Sequence, residues 1–173
     1  MTVEQTVSSK YTSVNTTKLP ALYHKIAWDK LRGQTVFDYG AGRPETQKLI
    51  REYLEQYNIK YIAYDPWWGG DVPIFFITQD YDIIISSNVL NVLQTSEMMI
   101  VRDHLHAAMD NKYQWLNKKV FISVYEGDKS GRGKYTKPDC WQRNERLFVY
   151  SQRFYPYAEA YHGVITNHKE LIK

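Results

Sequence analysis

Two acids and a bare backbone bend carry the clearest chemistry in this chain. In Thr35-Val36-Phe37-Asp38-Tyr39-Gly40-Ala41-Gly42-Arg43-Pro44, Val36 and Phe37 read as a short buried strand that ends on Asp38 and breaks at two glycines into a helix. Gly40 and Gly42 accept positive φ and carry no side chain, so another molecule can come close to the backbone. Pro44 suits the first helical turn, where its missing N–H would be unpaired anyway, and the Glu45 carboxylate suits the positive end of the helix dipole. Asp65 closes the next strand, Lys60-Tyr61-Ile62-Ala63-Tyr64. An acid about 20 residues past a glycine turn is placed to accept hydrogen bonds from ribose hydroxyls, although an Asp-Pro pair also forms turns.

Two further stretches belong to the same edge of a sheet. Tyr81-Asp82-Ile83-Ile84-Ile85-Ser86-Ser87 is a β-branched run of the kind buried on both faces of a parallel sheet. It empties into Asn88, which either hydrogen-bonds a reacting group or caps the turn that follows. After the strand Lys118–Tyr125 comes Glu126–Pro138, rich in glycine and charge. It is not a Walker loop, because the spacing to Gly133-Lys134 is wrong and Tyr135 stands where Ser or Thr is needed. Its backbone N–H groups and Lys129, Arg132, Lys134 and Lys137 can grip phosphates; the plainer reading is a solvated hinge.

These residues need a sheet and helices to position them. Leu19–Lys30 reads as a helix stopped by Gly33, and Pro44 to about Tyr57 as a second, with Leu49-Ile50, Tyr53-Leu54 and Tyr57 on one face. Val72–Ile77 is a weak strand interrupted by Pro73. Ser96–Asn111 is an amphipathic helix whose His104 and His106, at i and i+2, face apart and cannot share a metal. Asp139–Arg153 reads as a helix with Asp139 as N-cap and Trp141, Gln142, Arg143 and Asn144 in its first turns. Tyr157–Tyr161 and Val164–Thr166, joined at His162-Gly163, form a closing hairpin. The expected fold is α/β: a three-layer α/β/α sandwich on a mostly parallel sheet with a short antiparallel C-terminal hairpin. Residues 1–17 read as a loose tail, and residues 18–173 as one domain.

Composition narrows the classes. The 173 residues suit one domain, and 15 Tyr with 5 Trp favour a folded chain with ring-lined surfaces. The single cysteine, Cys140, excludes an internal disulfide and a multi-cysteine zinc site, and no metal is expected. No apolar run has the length of a membrane span and the N-terminus shows no signal-like apolar region, so a reducing cytoplasm is the expected compartment. Residues 127–153 hold seven basic residues against three acidic ones, so the chain's net charge of +3 is concentrated there.

The third glycine of the dinucleotide fingerprint is replaced by Glu45. Asp38-x-Gly40-x-Gly42 instead resembles the first motif of Rossmann-like S-adenosylmethionine (SAM) methyltransferases. Tyr-Asp-Ile-Ile followed by Ser-Asn-Val-Leu is similar to that family's motif after the fourth strand. With the Asp-Pro loop, Gly127-Asp128-x-Ser130-Gly131 and Trp141-Gln142-x-Asn144 in order, residues 18–146 resemble methyltransferase-like proteins of bacteria and phages, among them those associated with DNA phosphorothioation. The (Asn/Asp)-Pro-Pro-aromatic motif of amino-methylating DNA enzymes is absent, since Asp65-Pro66-Trp67-Trp68 lacks the second proline and follows the wrong strand.

The resemblance implies SAM as cofactor, held by Asp38, Tyr39, Gly40, Ala41, Gly42, Asp65, Pro66, Trp67, Ser87 and Asn88. Asn88 would also lie by the acceptor, and Trp67 or Trp68 either covers the adenine or plugs a core edge. Lys129, Arg132, Lys134, Lys137, Trp141, Gln142 and Asn144 would bind an anionic substrate. Nucleic acid is the leading expectation, because Tyr135 and Trp141 interleave with the cations and can stack on bases. The alternatives are methylation of a small molecule or protein, SAM binding without turnover, and a nicotinamide-dependent oxidoreductase.

Overall fold

A computed structural model describes residues 17–71, 81–138 and 140–173. Residues 1–16 of the expected tail, the weak strand expected at 72–77 and the expected N-cap Asp139 lie outside the described residues.

The strand periodicity resolves into β1 (Thr35–Tyr39), β2 (Lys60–Tyr64), β3 (Ile83–Ser87) and β4 (Lys119–Ser123), followed by β5 (Gly133–Lys137), β6 (Cys140–Arg143), β7 (Glu159–Tyr161) and β8 (Val164–Thr166). Among the described residues, one sheet has the order β2-β1-β3-β4-β8-β7. β2, β1, β3 and β4 are parallel, whereas β8 and β7 add antiparallel at the β4 edge.

Alternation along the strands gives the sheet two buried faces. Val36, Ile83, Ile85 and Phe121 pack with Leu22 of α1 (Ala21–Lys25) and with Ile50 and Leu54 of α2 (Pro44–Glu55). Phe37, Ile84, Val120 and Ile122 pack with Met98, Val101 and Leu105 of α3 (Thr95–Met109) and with Tyr150 of α4 (Leu147–Gln152). The result is the expected three-layer sandwich. The chain leaves β1 for β2 on one side and returns to β3 on the other, so a crevice opens outside the carboxyl ends of β1 and β3.

Three expectations are corrected. The helix at Leu19–Lys30 breaks after Lys25, because Ile26 leaves it to pair with Ile172 and the Ala27 N–H donates to Leu171 O at 2.8 Å. A 3₁₀ turn, Trp28–Leu31, follows, with the Trp28 indole donating back to Tyr23 O at 2.7 Å. Where a phosphate-gripping loop and a helix were expected, β5 and β6 form a separate two-stranded sheet, and α4 starts only at Leu147. The free N–H of Leu147 is met by Glu126 Oε2 at 3.0 Å, so the capping carboxylate comes from the end of the β4 segment. Among the described residues no helix is long and apolar enough to cross a membrane.

Candidate active site

The glycine bend is shaped by its own neighbours. Gly40 and Gly42 have φ of 85° and 77°. A side chain on Gly40 would strike Val89, so the backbone there is bare to admit the turn after β3. The N–H groups of Gly40 and Ala41 both donate to Tyr64 O (2.8 and 2.9 Å), and that of Gly42 donates to Asp65 Oδ2 at 2.9 Å. Asp65 Oδ1 accepts from the N–H groups of Trp67 and Trp68, both at 2.9 Å. Of the roughly four acceptor positions of this carboxylate, one is thus spent on clasping the bend after β1 to the end of β2 and two on the turn that Asp65 itself begins. Burial raises the Asp65 pKa against the lowering effect of those bonds.

Asp38 is only 1% exposed. Its Oδ2 accepts from Tyr23 Oη at 2.8 Å and Tyr61 Oη at 2.7 Å, joining α1, β1 and β2 at one atom. Oδ1 is buried and has no partner. Burial pushes the carboxyl up to about 6, while the two phenols pull it down. Burial first, and then the Asp38 charge, raises both tyrosines. Tyr23 and Tyr61 were not among the expected site residues. Their signal was available: a phenol on a buried strand or helix face needs a partner for its hydroxyl.

These elements enclose a cavity of about 720 Å³ along the carboxyl edge of the sheet. All ten residues expected around the cofactor line it: Asp38, Tyr39, Gly40, Ala41, Gly42, Asp65, Pro66, Trp67, Ser87 and Asn88. Asn88 sits in the left-handed region (φ 59°) at the end of β3, with its N–H donating to Ser123 O at 2.9 Å and its side chain exposed. Lys18, Leu19, Pro20 and Ala21 close one rim.

The substrate set divides. Lys137, Trp141 and Gln142 reach the cavity from the β5–β6 hairpin, whereas Lys129, Arg132, Lys134 and Asn144 do not line it. Lys134 pairs with Asp128 at 2.9 Å and Lys129 lies 3.8 Å from Glu126, both on exposed surface. Asn144 is 1% exposed and donates to Arg132 O at 3.0 Å, so it braces the hairpin. Gln142 braces it too, donating to Tyr125 O at 3.1 Å, and Arg143 donates to Leu93 O at 2.7 Å. The hairpin is a fixed roof over the β3–β4 side of the crevice. Tyr125, which follows β4, and Trp68, beside the guanidinium of Arg43, also line the cavity.

Sheet order, crevice and terminal antiparallel hairpin together define a Rossmann-like three-layer α/β/α fold. Among solved structures, the chain is similar to that of Burkholderia thailandensis 1,6-didemethyltoxoflavin-N1-methyltransferase with bound 1,6-didemethyltoxoflavin and S-adenosylhomocysteine. The two are 16% identical with a TM-score of 0.52, over 84% of this chain and 79% of that one. The sequence matches no protein-family model and no curated protein.

Proposed function

We propose that the protein is a SAM-dependent methyltransferase acting on a small molecule. The observation that carries this reading is the single cavity joining a buried carboxylate with one unpartnered oxygen, Asp38 Oδ1, to the Asn88 end of β3. An ammonium group, such as the amino group of a methionine moiety, would satisfy that oxygen. Trp67 and Trp68 offer flat faces on the same side. The structurally similar toxoflavin enzyme was crystallised with S-adenosylhomocysteine and a small heterocycle, which supports both halves of the reading.

When bound, SAM supplies an activated methyl group on a sulfonium. The work of the chain is then alignment, since holding the acceptor in line about 3–3.5 Å from the methyl supplies much of the rate. Asp38, the Gly40–Gly42 bend and Asp65 would hold the cofactor, and Asn88 would orient the acceptor. The bend speaks against a dinucleotide: its three N–H groups are spent within the chain, Pro44 has none, and Glu45 would repel a diphosphate. A cavity of about 720 Å³ suits small molecules, and two of the four lysines and arginines expected to grip nucleic acid are paired on the outside of the hairpin.

Calorimetric titration with S-adenosylhomocysteine tests the cofactor, and tritiated SAM given to separate metabolite, protein, DNA and RNA pools tests the acceptor. Saturable binding and label in the low-mass pool are expected. No binding at millimolar concentration would overturn the reading, and label confined to DNA or RNA would restore nucleic acid as the acceptor.

A further inference from the structure

We infer that the acceptor is a small, flat aromatic anion, a phenolate or a deprotonated ring nitrogen, that binds under the β5–β6 hairpin. This rests on the reading above and narrows it to a substrate class. The cavity has two ends. Over β1 and β2 it is lined by the two carboxylates; over β3 and β4 it is lined by Asn88, Tyr125, Lys137 and Trp141.

At the second end several acceptor groups are already committed. Gln142 gives its amide N–H to Tyr125 O and faces the Asn91 amide with its oxygen, and Asn91 Oδ1 accepts from the Tyr125 N–H. Ser87 and Ser123 share a hydroxyl–hydroxyl bond, and Thr136 Oγ1 donates to Cys140 O. What stays uncommitted among the described residues is mostly donor. The Trp141 indole N–H is buried without a partner, Lys137 makes no ion pair, and the Asn88 amide makes no side-chain bond. Of the groups that an occupant can reach, Lys137 can only donate and carries positive charge, so this end favours a molecule that presents acceptor atoms and negative charge. The rings of Trp141 and Tyr125 line the same space and favour a flat aromatic body. The Trp141 indole is itself held by an edge contact with Tyr135, centroids 5.1 Å apart.

The chemistry agrees. Among the described residues no carboxylate or imidazole lines this end, so nothing stands ready to take a proton from a neutral phenol. An acceptor that arrives ionised needs no base. Its lone pair forms the new bond to the methyl carbon, and the carbon–sulfur bond breaks with its electrons left on sulfur. The anion and the sulfonium cancel to give two neutral groups, and no proton has to leave.

The test is equilibrium binding to the full chain, read by tryptophan fluorescence and calorimetry, without cofactor and again with saturating S-adenosylhomocysteine. The probes are p-nitrophenolate, its neutral analogue nitrobenzene and the cation p-nitrobenzylammonium. The phenolate is expected to bind about tenfold tighter than nitrobenzene, and the cation weakest. Lys137→Gln should erase that preference; Lys134→Gln, on the outer face, should leave it intact. Circular dichroism checks that both variants fold. Equal binding of nitrobenzene, preference for the cation, no measurable phenolate binding, or a preference that survives Lys137→Gln would each overturn the proposal. So would displacement of the phenolate by a single-stranded oligonucleotide in a Lys137-dependent way. Failure of S-adenosylhomocysteine to bind, with the phenolate preference intact, would count against the cofactor reading and leave the anion site standing.

Discussion

The two ends of the cavity are built on opposite plans. At the β1–β2 end the backbone holds itself: three consecutive N–H groups and one carboxylate lock the bend, and the residues responsible lie in two short adjacent segments. At the β3–β4 end, side chains do the holding. Arg143 and Gln142 reach from the hairpin to Leu93 and Tyr125, and Asn144 closes the base of the hairpin on Arg132. Backbone closure gives a rigid floor with a fixed shape, while side-chain closure gives a roof that single substitutions can loosen without disturbing the floor.

The largest effect should come from breaking the floor. Gly40→Ala places a Cβ against Val89 at a φ of 85° and should cost about 3–4 kcal/mol in chemical denaturation, with loss of S-adenosylhomocysteine binding. Asp38→Asn should separate stability from binding. Burial raises this carboxyl from 3.8 to about 6, so between those values the folded chain holds a proton that the unfolded chain has released. Stability therefore falls as pH rises through that window, and above it the buried charge costs about 3 kcal/mol. The amide keeps an oxygen for the two phenols. Its stability should be flat across the same window and higher than wild type at neutral pH, while cofactor affinity drops at least about tenfold.

Breaking the roof should be milder and local. Arg143→Ala leaves Leu93 O unpaired and should cost about 2 kcal/mol, erase the phenolate preference and change S-adenosylhomocysteine affinity less than about twofold. If both ligands weaken together, the two ends are one unit and the contrast fails. The smallest effect belongs to Lys134→Ala, whose partner Asp128 is on the surface: neither the denaturation midpoint nor binding of either ligand should move.

The same contrast governs what was legible in the sequence. β1, β2, β3 and β4 send alternate side chains into the layers on either side, and α2 and α3 each bury one apolar face, so their apolar patterns show, and the ten residues drawn together at the crevice follow from strand ends. The β5–β6 hairpin leaves no such trace. Every residue of β5 is exposed, so no alternation marks it, and the helical spacing beyond Asp139 belongs to a segment whose helix begins at Leu147. The break after Lys25 was also hidden, because Ile26 pairs with a residue at the far end of the chain. The Tyr23–Asp38–Tyr61 junction needs three segments at once, and only the folded sheet brings them together.

The self-satisfied bend has a practical corollary for ligand design. A loop that keeps its amide hydrogens for its own carbonyl and carboxylate recognises an occupant by contour, since those amides have nothing left to give. An inhibitor edge facing those N–H groups can therefore exchange an acceptor atom for carbon without forfeiting a hydrogen bond to them.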